Sequence, residues 1–393
     1  MRSSTGPKIH KKKHKAEKDE ALVDLRLLLI ECATSIAAGN RLTANVLLKQ
    51  IRQHSSPFGD ATQRLAHYFA HGLEARLAGT GSLIHKIADP SDNSKAYLVA
   101  CASSWLMKIS SFVTNKMIMI ESEKAARDVV HIIDFGILYG FQWPAFIKCV
   151  AERAGGPPKK LRITGVDFPR AAEIIEEAGH RLARYAEKFG VPFEYKAIVR
   201  EWETIKIEDL KIEEGEFVAV VCSLRAMNLM DETVGVGENP RAMFLKLIRE
   251  IKPDIFVHGI VNGAYNEPFF VYRFRELLLH FLALFDMVET FAPRDKPERM
   301  LIERNILGKR AMNVIACEGW DRIERPETYK QWQVRHVKAG FMKVPFERKL
   351  VDIVMDKVNN SYHRDFVIGE DNKWLLMSWK GRTMYAISCW EPV

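Results

Sequence analysis

The sequence lacks paired cysteines. Its six cysteines stand singly, and none belongs to a Cys-x-x-Cys pair. Disulfide frameworks and structural zinc sites require cysteines in sets, so these thiols are predicted to be buried and reduced in an intracellular protein. The nucleophile elbow of hydrolases and the Walker phosphate loop are also missing. These signatures of catalytic and metal sites are therefore absent from the sequence, and no metal and no cofactor are expected.

Long apolar runs are missing as well. No stretch approaches the roughly 20 apolar residues that a helix needs to span a bilayer, so no membrane partner is expected. Residues 1–20 are polar and basic and contain no apolar segment, which is not typical of a secretory signal. They are predicted to form a disordered arm.

A strong charge of one sign is also absent from most of the chain. The formal net charge is +8, and residues 1–20 contribute +4 of it. The remaining +4 permits nucleic-acid binding without requiring it. Within the arm, Lys11, Lys12, Lys13 and Lys15 form a basic cluster, which is either a nuclear import signal or an ordinary solvated tail.

Helical spacing dominates residues 21–121, which we predict to form an α-helical cap. After the first helix, the predicted helices are residues 42–51, 62–78, 96–109 and 112–121. Leu25, Leu28 and Leu29 lie on one helix face, and the same stretch matches an LxxLL docking pattern. Burial in the cap or contact with a partner would each use this face.

Short apolar strands alternate with helices in residues 122–393, the predicted core. This alternation indicates βαβ units and a buried parallel sheet. Two strand-like runs joined by Lys380-Gly381-Arg382 predict a C-terminal antiparallel hairpin. The predicted class is α/β: a Rossmann-like, mostly parallel sheet with this hairpin, as in class I methyltransferases, plus the N-terminal cap. The predicted strands are 129–135, 161–166, 193–197, 217–222, 255–261, 374–379 and 383–390.

Several motifs occur in the order that is typical of one family. Residues 130–135 read VHIIDF and are followed by GILYGFQWP. This stretch resembles the VHIID motif of GRAS proteins, in the form of the scarecrow-like branch. Residues 22–78 resemble the first leucine-rich region and residues 178–191 the second. Residues 239–304 resemble the PFYRE region, and the tryptophans of residues 332–390 the SAW region. Residues 21–393 together are therefore identified as one GRAS domain.

The resemblance implies a nuclear, non-catalytic transcriptional regulator of plants that forms homodimers or heterodimers. Its partners would be double-stranded promoter DNA, reached directly or indirectly, and other transcription factors. The modest charge also leaves open a scaffold that does not touch DNA. The DNA-contact candidates are basic residues predicted on loops after the strands, where ligands of open α/β sheets gather: Arg170, Arg225, Arg294, Lys296 and Arg299.

A turn after the first strand carries Asp134, Gly136 and Gly140. Glycines at such a turn allow a nucleotide to approach the backbone, and Asp167 ends the second strand where an acid would hold a ribose hydroxyl. However, Leu138 and Tyr139 would crowd a cofactor. The turn is thus interpreted either as a degenerate S-adenosylmethionine site, open to a small molecule, or as a purely structural strand–turn–helix.

Overall fold

A computed structural model of the protein describes residues 23–86, 90–234, 237–293 and 296–393. The predicted basic arm and the DNA-contact candidate Arg294 lie outside these ranges. Among the described helices, none is by itself long and apolar enough to cross a membrane. One pair, Asp92–Ser103 with Trp105–Ala125, passes the test of length and composition together but is bent by 75°.

One sheet runs through the core in the order β3-β2-β1-β4-β5-β9-β8-β7, with β6 paired to the end of β9. The first five strands are parallel, and the strands after them are antiparallel. This arrangement confirms the predicted fold class, although β6 and β7 were not among the predicted strands. The strands are β1 Val129–Phe135, β2 Lys160–Asp167, β3 Phe193–Val199, β4 Phe217–Ser223, β5 Ile255–Val261, β6 Phe341–Val344, β7 Phe366–Asp371, β8 Trp374–Trp379 and β9 Arg382–Pro392.

Helices cover both faces of this sheet, and a group of them precedes it. A π-helix, Glu303–Gly308, joins α11 to α12 without a break. The α-helices are α1 Leu25–Ala37, α2 Arg41–His54, α3 Ala61–Ala78, α4 Pro90–Ser103, α5 Trp105–Ala125, α6 Trp143–Ala151, α7 Ala172–Lys188, α8 Ile207–Leu210, α9 Pro240–Ile251, α10 Phe270–Phe291, α11 Pro297–Ile302, α12 Lys309–Ala316, α13 Tyr329–Lys338 and α14 Arg348–Ser361.

The central strands are buried on both faces because their side chains are apolar in both directions. On one face, Ile133 and Val220 belong to a cluster with Phe244 of α9 and Trp332 of α13. On the other, Ile132 and its neighbours join a larger cluster that continues into the N-terminal helices. One continuous core therefore holds the cap to the sheet.

The N-terminal helices differ from the prediction at one boundary. The pattern predicted a break between residues 109 and 112, whereas the structure ends α4 before Ser104 and continues α5 through Ser110. The helix α5 then lies against β4 and β5, while α1 and α3 contact α10, and α3 also contacts α12. The N-terminal helices thereby pack both on the central strands and on later helices of the core.

A buried ion pair joins the cap to the core. Arg64 of α3 donates from Nε to Oε1 of Glu303 in the π-helix at 2.9 Å, and neither side chain is exposed. The same guanidinium donates to the carbonyl of Phe285 in α10. Arg64 also reaches Glu289 at 3.3 Å. Because burial removes the Glu303 carboxylate from water, that charge depends on the arginine for compensation.

Most tryptophans of the last quarter of the chain are core residues. Trp332, Trp374, Trp379 and Trp390 are no more than 1% exposed, whereas Trp320 is 66% exposed. Four of these five tryptophans are therefore core residues and are not available as platforms for base stacking.

Loss of the Arg64 side chain is expected to be costly. Replacing Arg64 by alanine would leave the Glu303 carboxylate buried without its partner, so the free energy of unfolding should fall by about 3–5 kcal/mol. Urea unfolding measures this change. The double variant Arg64→Met/Glu303→Leu should recover most of the loss, since it removes both charges.

The control is Arg348→Ala, which removes an ion pair with Asp352 whose side chains are 69% and 56% exposed. It should change the free energy of unfolding by less than about 1 kcal/mol. Equal losses for Arg64→Ala and Arg348→Ala would show that the buried pair does not join cap and core.

Stability should depend on pH through buried histidines. Burial holds the pKa of His280 in α10 well below its ordinary value of about 6.5, so the folded state binds fewer protons than the unfolded state. Protonation of His280 therefore favours the unfolded state. The contribution of His280 to stability is complete above about pH 6.5 and is lost as the pH falls below that value. Between pH 7.5 and 5.5, the free energy of unfolding of His280→Leu should fall by roughly 1 kcal/mol less than that of the unmodified protein.

His180→Leu is the matched control, because the His180 side chain is 79% exposed and should leave the slope unchanged. Urea unfolding at several pH values measures both variants. A His280→Leu variant with the pH dependence of the unmodified protein would refute this account of His280.

Candidate functional site

The turn after β1 lies at the carboxyl edge of the sheet, where open α/β folds bind ligands. Gly136 has φ +98° and Gly140 φ +61°, and Leu138 between them also has a positive φ, +44°. The backbone N–H of Gly136 donates to the carbonyl of Val166 at the end of β2. The two strand ends are thus tied together at the point where a cofactor would approach.

Asp167 ends β2 and is fully buried. Its Oδ2 accepts from the backbone N–H of Leu138 at 3.1 Å, and its Oδ1 accepts from the N–H of Phe168 at 2.8 Å. Arg225, in the loop after β4, donates to the same Oδ1 at 2.6 Å. The carboxylate predicted to hold a ribose is therefore engaged by groups of the chain itself.

Arg225 fills the space that the glycine turn leaves open. A Cβ atom on Gly136 would lie 2.2 Å from Cγ of Arg225, which is closer than any real contact. The guanidinium also donates to Oδ1 of Asn228 at 2.7 Å, and Asn228 in turn donates to the carbonyl of Ile323. The glycine thus makes room for an arginine side chain of the same protein.

These contacts do not fit S-adenosylmethionine, the cofactor that a class I methyltransferase-like sheet implies at this edge. The acid that would bind ribose hydroxyls has its oxygens bonded to an arginine and to backbone N–H groups. The close approach that Gly136 allows is used by Arg225. No step of catalysis is therefore derived for this turn.

Asp134, at the end of β1, has a different environment. Its Oδ2 accepts a hydrogen bond from Nε1 of Trp143 at 2.8 Å, and the residue is 6% exposed. Burial raises the pKa of this carboxyl to about 7, the hydrogen bond from Trp143 partly opposing the rise. Near pH 7, the Asp134 carboxyl is thus present in both its neutral and its charged form.

A cavity of about 190 Å³ lies above Asp134. The sheet edge forms its floor, while α4, α5, α10 and the π-helix contribute side chains to its walls. A second cavity, of about 210 Å³, shares Tyr97, Leu138, Arg225 and Arg310 with the first and also contacts Arg170. Asp134, Gly136 and Gly140 all line the first cavity, whereas Asp167 lies behind Arg225.

The residues that were predicted to contact DNA differ in their exposure in the structure. Arg170 is exposed and lies over the ring of Phe168 at 5.0 Å, and Lys296 is exposed just before α11. The prediction is wrong for Arg225, whose side chain is 13% exposed and paired with Asp167. It is also wrong for Arg299, which is 1% exposed, because the helix after the loop turns this side chain into the core.

The LxxLL face of α1 is occupied within the chain. Leu25 and Leu29 are buried in the main core, and Leu28 packs against it. A partner therefore cannot use the two buried leucines without displacing this packing. Leu27, on the other side of the helix, is 53% exposed.

Sequence reasoning missed the residues that reach the site from the end of the chain. Arg310 of α12 donates from Nε to Glu324 at 3.0 Å, and both residues line the two cavities, with Tyr385 of β9 beside the first. The sequence offered little to find them by, since a lone arginine does not reveal that its segment folds over a distant sheet edge.

Gly136→Ala tests the packing of Arg225 on the turn. Alanine with a positive φ costs about 1–2 kcal/mol, and the clash with Arg225 should add about 1–3 kcal/mol. The total should appear as a lower free energy of unfolding in urea. The control is Gly155→Ala, because Gly155 has φ +89° but no neighbour within 4 Å of its Cβ position.

The two substitutions therefore share the backbone penalty and differ in the clash. If they lower the unfolding free energy equally, Arg225 does not occupy the space beside Gly136. A crystal structure of Gly136→Ala should show the Arg225 side chain displaced.

Comparisons with known proteins agree with this architecture. A family model described as the GRAS domain family matches residues 25–391. The chain is 54% identical over 380 residues to Scarecrow-like protein 9 of Arabidopsis thaliana, covering 94% of this chain and 52% of that protein. It is 31% identical to Scarecrow-like transcription factor PAT1 of the same plant, covering 94% of this chain and 76% of the relative.

A solved structure is similar as well. The crystal structure of SCL7 from Oryza sativa superimposes with a TM-score of 0.79 at 27% identity, over 94% of this chain and 100% of that chain. The chain spans about half the length of Scarecrow-like protein 9. With the motifs, the sheet order and these matches in agreement, the chain belongs to the GRAS domain family, whose scarecrow-like members are plant regulatory proteins.

Proposed function

We propose that this protein regulates transcription in the nucleus without catalysing a reaction. The observation that carries the proposal is the contact of Arg225 with Asp167 and Gly136, which uses the cofactor-binding features of the sheet edge for internal packing. Because these features are used internally, binding of partners would take place at the surface of the fold. The name of one relative, Scarecrow-like transcription factor PAT1, supports the same role.

Promoter DNA would be held by basic side chains near the carboxyl edge of the sheet. Arg170 and Lys296 are the exposed residues of the predicted set. Arginine and lysine bind phosphate oxygens without reading the base sequence, so these contacts would position the duplex. The +4 charge of residues 1–20 would add sequence-independent attraction.

A scaffold that reaches promoters only through other transcription factors is the second candidate. It is favoured by the burial of Arg225 and Arg299, which leaves fewer basic groups at this edge than the sequence predicted. Such a protein would bind its partners, or a second GRAS chain, through exposed apolar side chains of the cap such as Leu27.

Direct DNA contact predicts a defined response to charge removal. Arg170→Ala and Lys296→Ala should each weaken binding to a labelled duplex selected from a random pool. Each should also lower the slope of log affinity against log salt by about 1, because one phosphate contact is lost. Fluorescence anisotropy at several salt concentrations measures both quantities, with a scrambled duplex beside the selected one.

Lys188→Ala is the matched control. Lys188 is exposed at the end of α7, and because α7 begins after β2 and ends before β3, it lies at the opposite edge of the sheet. Its removal should leave the salt slope unchanged. Equal affinity for selected and scrambled duplexes, or equal slopes for all three variants, would favour the scaffold.

A further inference from the structure

The cavity above Asp134 is not used by the function proposed so far. Its volume of about 190 Å³ exceeds the ~150 Å³ of an engineered apolar cavity that binds benzene. It is therefore large enough for a molecule of about ten or more heavy atoms. Well-packed interiors contain few voids larger than a water molecule, so a space of this size needs an explanation.

Most of the cavity wall is apolar. Met107 comes from α5, Leu284 and Phe291 from α10, and Ile306 from the π-helix. Methionine and aliphatic side chains adapt to apolar surfaces of varied shape. Water would gain few hydrogen bonds against this wall, whereas an apolar molecule would be favoured there.

The floor of the cavity is polar. The hydroxyl of Ser223 is buried and has no hydrogen-bond partner among the described residues. A Cβ atom on Gly259 would lie 3.5 Å from the hydroxyl of Ser110 and 3.8 Å from that of Ser223, so both hydroxyls lie close to Gly259 of β5. A buried polar group without a partner is costly, and both serines line the cavity.

Asp134 adds an acceptor to this floor. Its Oδ2 is bonded to Trp143, and within the described ranges no donor reaches its Oδ1. An ionised carboxylate only accepts hydrogen bonds. The floor thus offers a place for one donor group of a bound molecule, such as a hydroxyl or an N–H.

The charges around the cavity are already compensated. Arg225 is paired with Asp167 at 2.6 Å, and Arg310 with Glu324 at 3.0 Å. An anionic ligand would have to break one of these pairs or remain uncompensated beside the Asp134 carboxyl in a desolvated site. A cationic ligand would depend on the ionisation of that carboxyl, whose pKa burial raises to about 7. An uncharged ligand avoids both penalties.

We propose that this cavity is a binding site for an uncharged, mainly apolar small molecule whose single hydroxyl or N–H donates to Asp134. The apolar body lies against α5, α10 and the π-helix, and the donor reaches the floor beside Ser110 and Ser223. The site is distinct from a nucleotide site, because Arg225 and Asp167 stand where a ribose would bind.

Three aromatic probes of nearly equal size test this assignment. 2-Naphthol carries a hydroxyl donor, naphthalene carries none, and 2-naphthoate carries a negative charge. In isothermal titration at about pH 8, where the Asp134 carboxyl is mostly ionised, 2-naphthol should bind about tenfold more tightly than naphthalene. 2-Naphthoate and S-adenosylmethionine should give no saturable heat.

Two variants of α4 locate the binding. Ala100 lines the cavity, whereas Ala102, two residues further on, is exposed. Ala100→Phe should fill the cavity and abolish binding of 2-naphthol, while Ala102→Phe introduces the same side chain outside it and should leave binding unchanged. Circular dichroism and urea unfolding establish that both variants are folded.

A variant of Asp134 tests the polar contact. In Asp134→Asn the amide oxygen can still accept from Trp143, and the amide N–H₂ then faces the cavity. Affinity for 2-naphthol should fall about tenfold and affinity for naphthalene should not change. The comparison of the two affinities in Asp134→Asn remains decisive if Ala100→Phe does not fold.

The outcomes separate the parts of the proposal. Absence of saturable binding by both 2-naphthol and naphthalene would overturn it, as would equal binding by Ala100→Phe and Ala102→Phe. Equal affinities for the two probes, unaffected by Asp134→Asn, would overturn the assignment of the donor. Tight binding of 2-naphthoate would overturn the inference that the ligand is uncharged.

Discussion

The buried carboxylate of Asp167 is the constraint around which the sheet edge is arranged. A charge with no access to water requires compensation, and here Arg225 and the backbone N–H groups of Leu138 and Phe168 provide it. The arginine can reach the acid only across a residue without a side chain, which is Gly136. Features that resemble cofactor recognition therefore follow from one internal ion pair.

Much of the sheet could be predicted from the sequence, because its central strands are short apolar runs between helices. The strand β7 could not: Val367 points to solvent at 53% exposure, and the run ends in Gly369, Glu370 and Asp371. Such an edge strand forms because β8 offers it a partner. Likewise, the boundary between α4 and α5 was misplaced, since Ser110 reads as a breaker yet lies buried within α5.

The site was predictable to a smaller extent. Asp134, Gly136, Gly140 and Asp167 were assigned to one turn region because parallel strands end at the same edge. Arg225 was assigned to DNA because it lies on a loop after a strand, where ligands of open α/β sheets gather, whereas its actual partner lies 58 residues away in sequence. Exposure is a property of the whole fold, and so neither the burial of Arg225 nor the folding of α12 over the cavity could be derived from local pattern.

The contact between Arg64 and Glu303 has a consequence for the evolution of proteins with this fold. Its two members come from the third helix and from a π-helix 239 residues later. A chain that lost the first three helices would keep Glu303 without the arginine that donates to it, and the isolated helices would keep Arg64 without this acid. Exchange of one lobe between such proteins would therefore have to supply a new partner for the residue that remains.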